Sequence, residues 1–167
     1  MGQKISRRDF LFGFRKRMLE LSFTNKKDLN VEELKKADGF LRSGDFSKAK
    51  DILEKVVEDY PEDLVARQKL AYAYYKIGDI KSAKNEFLVL RKKGVKSNFI
   101  SLYLGLCFAH DGNLKTAINI FKEFFDITKP IIQRAINLQI ALFDSDLATQ
   151  EDMIKTIENA IKEQENL

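Results

Sequence analysis

The sequence predicts an all-α protein, a row of helix-turn-helix hairpins ended by a capping helix. Two observations lead there. First, a 34-residue period runs through the chain: Gly44-Asp45, Gly78-Asp79 and Gly112-Asn113 recur at that step, as do Ala49, Ala83 and Ala117, and Leu53, Phe87 and Phe121. Second, the segments on either side of each Gly-Asp or Gly-Asn pair read as helices. Apolar residues make up 44% of the 167, enough for a packed core.

The elements follow in order. Residues 1–28 are a basic amphipathic leader, residues 29–131 hold three repeats, and residues 132–167 hold a degenerate half repeat and a capping helix. The units read "LKKADGFLRSGDFSKAKDILEKVVEDYP", "RQKLAYAYYKIGDIKSAKNEFLVLRKKG" and "ISLYLGLCFAHDGNLKTAINIFKEFFDITKP". Glycine tolerates the left-handed backbone that ends a helix. The Asp or Asn behind it forms the turn and starts the next helix. The alanines are small where two helices must approach, and Leu53, Phe87 and Phe121 fill the space between repeats. Pro61 and Pro130 break the chain near unit ends.

With three signals on one period, the stretch from about Asn30 to Ile131 resembles the tetratricopeptide repeat (TPR) family. The family's small residue in the first helix is kept as Ala37, Ala71 and Gly105. Its early bulky aromatic is replaced by Glu33, Arg67 and Ser101, and its closing proline by Val95 in the second unit. The resemblance implies a right-handed superhelix of hairpins whose first helices line the concave side.

Past Pro130, "IIQRAINLQIALFDSD" reads as the first helix of a fourth unit whose Gly-Asp turn is lost. Thr149 and Asp152 fit a capping box. The last helix then runs from Gln150 to about Gln164, with Met153, Ile154, Ile157, Ala160 and Ile161 on one face and charges on the other, as the end of a stack requires.

Charge is unevenly placed. Residues 1–28 hold eight basic and three acidic side chains, whereas the other 139 hold 21 and 22. The positive excess therefore belongs to the leader, and the body lacks the basic groove an RNA-binding repeat needs. Cys107 is the only cysteine, so no internal disulfide forms. No run of 18 apolar residues exists to span a membrane. His110, three residues after Cys107, gives too few ligands for a metal site, and Cys107 lies among apolar neighbours. The glycines are isolated turn residues and form no phosphate loop. We expect no catalysis, no cofactor, no metal, no small-molecule substrate and no nucleic acid.

What the resemblance implies instead is a cradle for peptides or partner helices. Helical spacing places Leu34 and Leu41, then Val65, Gln68, Tyr72 and Tyr75, then Phe99, Leu102 and Leu106, then Ile136, Ile140 and Phe143 along the groove. TPR proteins that hold the acidic tails of heat-shock chaperones use a Lys/Asn/Arg set there, which is missing. An apolar, aromatic groove calls for an apolar peptide or amphipathic helix. A flanking segment of the same chain is the other occupant that would fit.

Within the leader, Ser6-Arg7-Arg8-Asp9-Phe10-Leu11 resembles the twin-arginine export motif at all five specified positions. An export signal also needs an apolar run of about 7–15 residues and a small-residue cleavage site. Here Phe12-Gly13-Phe14 gives way to Arg15-Lys16-Arg17, so we expect the segment to be retained inside the cell, with export to the periplasm as the alternative. On a helix, Phe10, Leu11, Phe14, Met18 and Leu21 share one side, Arg8, Arg15, Lys16 and Arg17 ring the rest, and Arg7 joins them as a docking residue. That pattern suits docking to an anionic membrane surface or to a membrane-bound complex, or packing on the first repeat. The resemblance to the export motif implies that such a complex is of redox type. Met1-Gly2 to Ser6 also fits the looser N-myristoylation pattern. The expected role is a non-catalytic adaptor at the inner face of the cytoplasmic membrane. The alternative is an assembly factor for a multi-subunit exported or membrane enzyme.

Overall fold

A computed structural model describes residues 30–166, and all regular structure among them is helical. Helix α1 covers 30–43, α2 Phe46–Asp59, α3 Leu64–Lys76, α4 Ile80–Lys92, α5 Asn98–His110, α6 Leu114–Phe121, α7 Pro130–Asp144 and α8 Gln150–Glu165.

The repeated dipeptide stops one helix and starts the next. Gly44, Gly78 and Gly112 sit at φ +79°, +86° and +74°, a region that strains any residue with a Cβ. The following side chain caps the second helix. Asp45 accepts from the Lys48 N–H at 3.3 Å, Asp79 from Ser82 at 3.0 Å and Asn113 from Thr116 at 3.1 Å. Between hairpins, Asp63 and Ser97 cap α3 and α5, and Thr149 caps α8 by accepting from the Asp152 N–H at 3.2 Å.

Helix α3 packs on α2, α4 and α5, while α2 and α4 share no comparable contact. First helices therefore form the inner row and second helices the outer row of a superhelix. The first interface buries Ala37, Ala49, Leu53, Leu70 and Ala73. A larger core runs from α3 to α8 around Phe87, Leu104, Phe121, Ile136 and Ile157. Each such large side chain contributes about 1.5–3 kcal/mol by leaving water. Gly105 sets the spacing in the third hairpin, because a Cβ there would lie 2.4 Å from the fully buried Phe121 ring.

Two features depart from the sequence pattern. Helix α6 ends at Phe121 after 8 residues, although the repeat pattern carries it further. Phe124 turns into the core, the Asn98 side-chain amide holds the Phe125 backbone, and Pro130 opens α7. The last hairpin is also turned. α7 packs on α6 and α8, and it is α8 that packs on α5. With α6 only two turns long, the connector at 122–129 delivers α7 early, and the fourth inner position passes to α8.

The starts of the odd-numbered helices share one edge. There Asn30 Nδ2 donates to Asp63 at 3.1 Å, Lys93 Nζ to Glu62 at 2.7 Å, and the Ile131 N–H to Gln164 at 3.1 Å. The glycine turns lie on the opposite edge, with the Lys84–Asp111 ion pair and a 2.9 Å bond from Gln150 Nε2 to the His110 carbonyl.

Candidate functional site in the inner groove

Helix α3 is two-sided. Leu70, Ala71, Ala73 and Tyr75 are buried against its neighbours. Val65, Gln68, Tyr72 and Lys76 recur at helical spacing on the remaining side, with Val65 61% exposed. Tyr72 is the hub of an aromatic cluster. Its ring packs edge-on to Phe46, Phe99 and Tyr103 at centroid distances of 5.9, 5.5 and 5.1 Å. The Lys76 ammonium lies 5.1 Å from the Phe46 ring and 6.0 Å from that of Tyr72, a cation–π arrangement. A Lys69–Asp38 pair at 2.5 Å joins α3 to α1, where Leu34 and Leu41 are half-buried on the first core.

Helix α5 is covered. Nine of its 13 residues are buried, Leu102 and Leu106 among them, so these two are core residues with no surface for a partner. The cover is α8, whose Met153, Ile157, Ala160 and Ile161 join the same core. Ile136 is likewise fully buried on α7, and Ile140 and Phe143 are partly buried against the same core. The expected groove thus divides. Among the described residues, Val65 is exposed and Gln68, Tyr72 and Phe99 are half-buried on the α3 side, while the chain's own last helix packs on α5 at the far end.

Tyr75 marks the seam. Its hydroxyl donates to Glu158 at 2.6 Å and stands 3.4 Å from His110 Nε2. Burial and the Glu158 carboxylate hold the phenol far above its ordinary pKa. A crevice of about 240 Å³ opens beside it, lined by Lys76, Tyr103, Ile161 and Lys162 among others. Sequence reasoning misses Glu158 and Lys162 because they fall on the charged face of the last helix, which reads as the solvent side of a cap. It could have foreseen the covering of α5, since Asn98–His110 holds no Asp, Glu, Lys or Arg, and a helix apolar all round is buried.

Cys107 is fully buried, and burial pushes its thiol up to about 12, which leaves no thiolate at neutral pH. Among the described residues, no three His, Cys, Asp or Glu side chains gather as a metal site, and no helix is long and apolar enough to cross a membrane. The leader residues Arg7, Arg8, Phe10, Leu11, Phe14, Arg15, Arg17 and Met18 lie outside the described residues.

Residues 40–103, from the end of α1 into α5, match the family model described as Tetratricopeptide repeat. No curated protein matches the chain.

Proposed function

We propose that this tetratricopeptide repeat protein is a non-catalytic adaptor. It holds an apolar peptide or amphipathic helix of a partner on the open part of its inner groove. Its basic leader docks it to a membrane surface or a membrane-associated complex. Repeats of this family serve as modules for binding other proteins. The observation that supports the groove assignment is the contrast between two inner helices: α8 closes over α5, while on α3, among the described residues, Val65 and Lys76 are exposed and Gln68 and Tyr72 half-buried. A partner helix laid there meets an aromatic floor, with Lys76 placed to receive an acidic side chain at its rim.

Site-specific photo-crosslinking tests this. A crosslinking residue at Val65 or Gln68 should trap one partner from membrane fractions, and one at Asn85 on outer helix α4 should trap none. Equal trapping from Asn85, or none from the groove, overturns the groove assignment. Leader docking is tested by recovery of that partner after Arg7→Gln and Arg8→Gln; unchanged recovery defeats it.

A further inference from the structure

We propose that the connector between α6 and α7 is a second contact site, at which Phe125 and Ile127 enter the headgroup region of an anionic phospholipid surface. It involves different residues from the leader and stands without it.

Phe125 and Ile127 are 73% and 80% exposed, more than any other large apolar residue described. A lone exposed apolar residue is ordinary. This pair is held outward. Phe124 anchors the connector in the core at 4% exposure. Asn98 makes two bonds to the Phe125 backbone: its amide N–H donates to the carbonyl at 2.6 Å, and its carbonyl accepts from the N–H at 3.1 Å. Gln133 accepts from the Asp126 N–H at 3.1 Å, and Asp126 accepts from both the N–H and the hydroxyl of Thr128, at 3.0 and 2.6 Å. The connector is therefore ordered before it meets a partner, so little conformational freedom is lost on contact.

The charges around it choose the partner. Lys96, Lys122, Lys129 and Arg134 are exposed within a few residues of the clamp. Arg91 bonds Glu123 at 2.8 Å, and Lys122 lies 3.9 Å from Asp144. Lys96, Lys129 and Arg134 form no ion pair among the described residues, so the collar keeps a positive excess over Glu123, Asp126 and Asp144. Lysine is depleted from protein–protein interfaces, whereas each Lys or Arg near an anionic leaflet strengthens binding roughly fivefold. Two apolar side chains in a basic collar thus fit a lipid surface better than a protein pocket. The connector lies on the edge where the odd-numbered helices begin, so contact there leaves the α3 floor open to a partner.

Co-sedimentation of the full chain with phosphatidylcholine vesicles, with and without phosphatidylglycerol, tests the inference. Phe125→Ser with Ile127→Ser should weaken partition onto the anionic vesicles at least about tenfold, with thermal unfolding unchanged because both side chains are exposed. A second variant reads insertion at the site itself. Cys107 is buried, so an environment-sensitive dye coupled through Ile127→Cys reports that position alone. Its emission should shift to the blue on anionic vesicles and stay put on neutral ones. No vesicle binding, unchanged partition of the serine variant, or an unshifted dye on bound protein each overturns the proposal. Loss of binding in Arg7→Gln/Arg8→Gln but not in the serine variant would leave the leader alone as the membrane contact. The reverse pattern would remove the leader and keep the connector.

Discussion

Gly105→Ala places a methyl where the fully buried Phe121 ring stands, with 2.4, 2.6 and 2.8 Å to three ring carbons. Ordinary contact needs about 1 Å more, and a side chain with no exposure has nowhere to go. Overpacking of this kind costs about 1–3 kcal/mol, and the tightness here argues for the upper end. Replacing glycine inside a helix returns about 1 kcal/mol of propensity. The net expectation is a loss of about 2 kcal/mol, or roughly 4–8 °C in melting temperature for a chain of this size. Urea unfolding followed by circular dichroism measures it. Phe121→Leu in the same chain should recover part of the loss, giving a favourable coupling of about 1 kcal/mol in the double-mutant cycle. An alanine variant as stable as the parent, or strictly additive effects in the cycle, would refute the spacing role assigned to Gly105.

Tyr75→Phe removes the bond to Glu158 and should loosen the α8 seam by about 1 kcal/mol, because the partly exposed carboxylate regains water. Amide exchange should then quicken in α8 while α2 stays unchanged; uniform quickening would contradict this. Asp79→Ala should cost about 1 kcal/mol and Asp79→Asn much less, since asparagine still caps. The Ser82 N–H holds the Asp79 carboxyl below its ordinary pKa, so its ionised form stabilises the fold above the unfolded value near pH ~4. That contribution fades as pH falls through the lower folded value. The stability gap between parent and Asp79→Asn should therefore close in acid, and a pH-independent gap would count against it. Finally, native Cys107 should resist thiol reagents at pH 8 and react at a rate that rises with denaturant; rapid labelling without denaturant would show the burial to be wrong.

The hairpins were legible because their determinants are local. A glycine that must take positive φ and a capping side chain one position later recur at a fixed step. The last helix was legible too: Met153, Ile157, Ala160 and Ile161 are the residues it buries. The partner of that helix was not. α7 and α8 both carry an apolar stripe, and nothing within either says which one meets α5. The choice falls to the connector after Phe121, where Asn98 and Gln133 reach it from α5 and α7. Long-range hydrogen bonds of this type leave no period in a sequence. Hence the sequence pattern puts Ile136, Ile140 and Phe143 in the groove, whereas the structure buries Ile136 in the core and leaves Phe125 and Ile127 exposed on the connector.

Because the second helix of the final hairpin stands where a first helix would, the stack presents no matching seat beyond it. Duplicated hairpins can be accommodated upstream, at the regular junctions before α5, where one unit hands the next the same surface it received. At the last hairpin that surface differs, because α8 rather than α7 meets α5, so the repeat geometry does not carry past it unchanged.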